Sequence, residues 1–78
     1  MRTFHFYVDD VRYGAPRELV VQARHEARAR QIAERMHAES EHHHGVEVCE
    51  KGVRLFGLGS FALRTWCERH SAGLARSA

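Results

Sequence analysis

Seventy-eight residues allow one domain with one small core, and 44% hydrophobic with 28% charged residues is the composition of a folded chain, not a disordered tail. Twelve Lys and Arg, all but one arginine, against ten Asp and Glu give a formal charge of +2, which permits an anionic partner but falls short of the excess usual in nucleic-acid binders. Nothing approaches the ~18 apolar residues of a membrane helix, and MRTFHFYV has no apolar leader run. Cys49 and Cys67 are too few for a disulfide framework, so the expectation is a cytoplasmic protein with reduced thiols.

In chain order, residues 3–9, TFHFYVD, alternate: Phe4, Phe6 and Val8 point inward, His5 and Tyr7 outward, as in a half-buried strand. Asp9, Asp10, Tyr13, Gly14, Ala15 and Pro16 make a long hairpin loop. RELVVQA at 17–23 returns as a second strand, with Leu19 and Val21 inward and Val20 outward. HEARARQIAERMHAES, His25 to Ser40, is the one long helical period. It puts His25, Ala29, Ile32, Ala33 and Met36 on one face, a face read as core. Glu26 with Arg30, Arg30 with Glu34 and Arg35 with Glu39 stand at i, i+4 as ion-pair candidates.

After a polar connection at 41–45, VEVCEKGVRLFGLG reads as a second hairpin: Val46 and Val48 inward, a tight turn at Lys51 and Gly52, then Val53 and Leu55 inward. His5, Tyr7, Val20, Cys49 and Phe56 then share the outer face, which is too apolar to be left in water. A short helix near 61–70, FALRTWCERH, is the expected cover. The architecture expected is α+β: a four-stranded, mainly antiparallel ββαββ sheet with one long helix on one face and a short C-terminal helix, over residues 1–71, followed by a flexible tail at 72–78.

Arg24, Arg28, Gln31 and Arg35 follow at i, i+4, i+7 and i+11 and form a basic stripe beside the apolar helix face. Stability alone does not favour it, because arginines in the first turn oppose the helix dipole and like charges at i, i+4 repel by ~0.2–0.5 kcal/mol. Ordinary solubility and a contact surface for carboxylates or phosphates are both open readings. For catalysis there is no GxSxG, P-loop, GxGxxG or paired-carboxylate pattern, and so small a core leaves little room for a preorganised pocket. No enzyme activity, cofactor or metal is expected: His42, His43 and His44 with His37, Cys49 and Cys67 are the residue types that hold zinc, but adjacent histidines splay apart and no CxxC or HExxH sets two ligands on one face. Tyr7, Phe56, Leu63 and Trp66 are candidates for self-association. If the C-terminal helix reaches its own sheet the chain is a monomer; if the linker at Gly57 to Gly59 prevents that, the same surfaces close a two-fold dimer.

The succession FHFYVDD, RELVVQA, an alanine- and arginine-rich helix, then VEVCEKGVRLF, residues 3–57, resembles two groups of very small proteins. One is a set of uncharacterised alphaproteobacterial hairpin–helix–hairpin proteins; the other is the short anti-CRISPR proteins of phages and mobile elements. The second resemblance implies a non-enzymatic inhibitor that docks on a CRISPR surveillance complex and competes with nucleic acid. The leading expectation is therefore a protein-binding inhibitor presenting Arg24, Arg28, Gln31 and Arg35 to a larger protein or nucleoprotein complex. The alternatives are direct nucleic-acid binding by the same stripe and a structural homodimer.

Overall fold

Period-two alternation produces β1 (Arg2–Asp10) and β2 (Arg17–Ala23), which pair as a hairpin across the 11–16 loop. The helix α1 (Glu26–Glu39) follows, then the hairpin β3 (His43–Glu50) and β4 (Val53–Gly59). The structure, a computed structural model, describes residues 1–67. All neighbouring strands are antiparallel, in the order β2-β1-β3-β4, so the architecture is the expected α+β sheet with one helix. β2 and β3 both flank β1 and run parallel to each other, the relation a helical crossover requires. No helix among the described residues is long and apolar enough to cross a membrane.

Register explains the core. Phe4 faces Val21 and Phe6 faces Leu19 across β1–β2, while Phe6 meets Val48 and Val8 meets Val46 across β1–β3. One side of the sheet is therefore continuous hydrocarbon, and α1 lays Ala29, Ile32, Ala33 and Met36 on it. Ala29 and Ala33 are fully buried, and with no side chain beyond Cβ they let the helix backbone approach closely. Complete burial of Phe4 and Phe6 contributes about 1.5–3 kcal/mol each.

Caps and turns set the element ends. His25 is exposed and extended rather than packed on the apolar helix face: its Nδ1 accepts the Arg28 N–H at 3.1 Å and caps α1. Lys51 and Gly52, at φ 53 and 78, make the expected two-residue turn. β3 starts earlier than expected, at His43, so three residues of the polar connection, His43, His44 and Gly45, are strand. There the His43 ring Nδ1 lies 2.8 Å from the Met36 carbonyl, tying the start of β3 to α1. At the end of β1, buried Asp10 accepts the Arg12 N–H and both prongs of its guanidinium, anchoring the loop.

A bulge corrects the expected facing of β4. Cys49 pairs with Arg54 but Val48 pairs with Phe56, so Leu55 is an extra residue. Phe56 turns to the helix side, where the Arg30 guanidinium sits 4.5 Å from its ring centroid, and not to the outer face. Leu55 also packs on that core, whereas Val53 stays 62% exposed rather than inward. The outer face is covered in part by residues 60–67, but 60–66 run as turns and bends, not as helix. Residues 68–70 of the expected short helix, and the 72–78 tail, lie outside the described residues.

Candidate functional site

The eleven arginines are used in different ways. Arg2 grips Glu50 through two bonds of 2.8 and 2.6 Å, Arg12 grips Asp10, Arg54 lies 3.3 Å from Glu47, and Arg64 is 2.9 Å from Asp9. Each of these charges already faces a carboxylate. Arg24, Arg28 and Arg35 are exposed, and among the described residues none of them forms an ion pair. Arg30 does not pair with Glu26 or Glu34, and Arg35 does not pair with Glu39; Arg30 is instead spent over Phe56.

The stripe expected from spacing is thus one exposed side of α1 and the bend before it. Arg28 Nη1 donates to Gln31 Oε1 at 3.2 Å, which restrains the guanidinium and leaves its other N–H groups outward. Arg24, His25, Arg28 and Gln31 share an open cleft of about 390 Å³ with Met1 and Gln22. Arg35 lies beyond it, about two turns along the helix from Arg28. A planar guanidinium binds carboxylate or phosphate through two parallel bonds. The cleft therefore suits an anionic surface better than an enclosed small molecule.

The four self-association candidates do not form one patch. Tyr7 is half-buried, with its hydroxyl donating to Glu18 Oε2 at 2.8 Å, and burial followed by Glu18 pushes its pKa up. Phe56 is on the opposite side of the sheet. Leu63 is 100% exposed, and Trp66 is half-buried with its backbone N–H donating to Glu47.

A second polar feature escaped the sequence reading. On the outer face of β3, Glu47 and Cys49 are 0% and 1% exposed. Glu47 Oε1 accepts the backbone N–H of Trp66 at 3.0 Å and of Cys67, and Arg54 Nη2 donates to the Phe61 carbonyl at 2.7 Å. These bonds hold residues 61–67 on the sheet. Gly57 makes the close approach possible, because a Cβ there would lie 2.2 Å from the Phe61 oxygen. Both cysteines are buried thiols; burial, then Cys67 and Glu47, push the Cys49 pKa up. The available signal was the Glu47-x-Cys49 spacing, which puts both residues on one strand face; Cys67 is joined to them only by the fold.

Comparison with protein-family models, curated proteins and solved structures found no match.

Proposed function

We propose that this chain is a small non-enzymatic inhibitor that docks through Arg24, Arg28, Gln31 and Arg35 on an acidic or phosphate-bearing surface of a larger nucleoprotein complex and keeps nucleic acid off that surface. The observation that carries this reading is the division of the arginines. Four are neutralised by carboxylates in the same chain, while Arg24, Arg28 and Arg35 have no such partner among the described residues and, unlike Arg30 over Phe56, no aromatic ring beneath them either. A partner carboxylate or phosphate can engage those three without breaking an internal pair, and each charge-assisted bond is worth ~1.5–3 kcal/mol.

The mild net charge favours a protein target over bare nucleic acid, because few further cations stand ready to neutralise a run of phosphates. The resemblance to short anti-CRISPR proteins makes a CRISPR surveillance complex the first target to try. The test adds the chain to such a complex together with labelled target DNA. Wild type lowers DNA binding, the triple variant Arg24→Gln, Arg28→Gln, Arg35→Gln does not, and without the complex the chain leaves DNA mobility unchanged. A salt-sensitive shift of DNA by the chain alone would instead establish direct nucleic-acid binding.

A further inference from the structure

Three side chains that take no part in the basic face converge beneath residues 60–67. The carboxylate of Glu47 and the thiols of Cys49 and Cys67 are 0%, 1% and 2% exposed, and their ligand atoms all lie within 4.8 Å of one another. This is a costly way to fill an interior. A buried carboxylate needs partners for both oxygens, yet among the described residues Glu47 Oε2, shut off from solvent, accepts no hydrogen bond and has the Arg54 guanidinium 3.3 Å away as its ion-pair partner. Two thiolates and a carboxylate are, however, a donor set for a borderline-soft divalent ion. Metal–ligand distances of ~2.0–2.3 Å put tetrahedral donors about 3.3–3.8 Å apart, so a contraction of about 1 Å completes three corners of a shell.

We propose that Glu47, Cys49 and Cys67 bind one zinc ion through a Glu47 carboxylate oxygen and the two sulfur atoms, with a water in the fourth position. Charge balance agrees. Two thiolates and a carboxylate carry three negative charges, the ion returns two, and Arg54, with Nε 3.3 Å from Glu47 Oε2, supplies the remaining one, so the loaded site is neutral where it is buried.

The surrounding bonds suit the role. Glu47 Oε1 accepts the N–H groups of Trp66 and Cys67 and lies 3.9 Å from Cys49 Sγ, which fixes the carboxylate beside the thiols. Arg54 spans from Glu47 to the Phe61 carbonyl. Loading replaces two S–H protons by one Zn²⁺, so two protons leave per ion bound. Glu47 and Cys49 come from β3 and Cys67 from the covering segment, so the ion fastens that segment to the sheet. This site is independent of the basic face.

The test titrates reduced, metal-free, full-length protein with cobalt(II) alone. One equivalent produces a thiolate-to-cobalt charge-transfer band and tetrahedral ligand-field bands, about two protons are released per ion, and zinc bleaches the spectrum. Cys49→Ser and Cys67→Ser each abolish or strongly weaken the charge-transfer band, and Glu47→Gln weakens the affinity by at least about tenfold. Cobalt held only by His42 to His44 would give no thiolate band. Wild-type protein that is folded by circular dichroism but shows no such band at stoichiometric cobalt overturns the proposal, whether or not the variants fold. A band undiminished by Cys67→Ser in folded protein overturns it as well.

Discussion

Replacing Glu47 by Gln tests how the outer face is closed. The substitution keeps the size of the side chain and one carbonyl oxygen, but removes the charge that meets two backbone N–H groups and Arg54. Hydrogen bonds to charged groups contribute ~1.5–3 kcal/mol and neutral ones ~0.5–1.5, so weakening the Trp66 and Cys67 bonds costs about 2 kcal/mol together. Arg54 is left facing an amide. Its side chain is 25% exposed, so the added loss is well below the ~3–5 kcal/mol of a fully buried broken pair, and the total comes to about 2–4 kcal/mol. In a domain of this size each kcal/mol moves the thermal midpoint by ~4–8 °C, so a drop of roughly 10 °C or more is expected. Urea and thermal unfolding of chelator-treated protein, followed by circular dichroism, read the global loss. Amide hydrogen exchange at Trp66 and Cys67 reads local release of the covering segment. A midpoint within ~0.5 kcal/mol of wild type, with both amides as protected as before, would refute the assignment of Glu47 as the anchor.

Gly59→Ala should be strongly destabilising and Gly14→Ala close to neutral. Gly59 has φ +58 and its added Cβ would lie 2.2 Å from the His44 oxygen, while nothing stands within 4 Å at Gly14. Parallel urea melts are expected to separate the two variants by about 2 kcal/mol or more, and equal midpoints would contradict the close packing of β4 on β3. Asp10 makes a prediction about acid. The Arg12 guanidinium holds its carboxyl well below the usual range, so its stabilisation is full above the ordinary pKa of ~3.9 and is lost as pH falls through the lower folded value. Asp10→Asn should therefore lower stability at neutral pH and flatten the acid limb of a stability–pH curve; an unchanged slope would count against the pair.

The parts of the fold that could be read from the sequence were those with local periodicity. Phe4, Phe6 and Val8 alternate, Ala29, Ile32, Ala33 and Met36 recur at helical spacing, and Lys51-Gly52 carries its own turn chemistry, so strands, helix and second hairpin follow directly. Phe56 was misplaced because alternation assumes an uninterrupted ladder, and one extra residue at Leu55 reverses every later side chain. His25 matched the apolar helix face in spacing, but a ring nitrogen able to accept a backbone N–H made it the cap. The arginine stripe was visible because it lies on one helix. Which arginines remain without internal partners was not, since Arg2 meets Glu50 and Arg64 meets Asp9 only after the sheet and its cover have formed. Cys49 and Cys67 have no ligand spacing in the sequence, and their meeting with Glu47 is hidden there for the same reason.

The central proposal is that Arg24, Arg28 and Arg35, which form no ion pair among the described residues, are a docking surface, and affinity capture with a matched control tests it most directly. Nuclease-treated lysate containing a CRISPR surveillance complex is passed over immobilised wild type and over the Arg24→Gln, Arg28→Gln, Arg35→Gln variant, both verified as folded. The account predicts that wild type retains the complex at physiological salt and that the variant loses at least about tenfold of it, corresponding to ~1.4 kcal/mol or more. Equal retention by both proteins, or retention by neither, would contradict it.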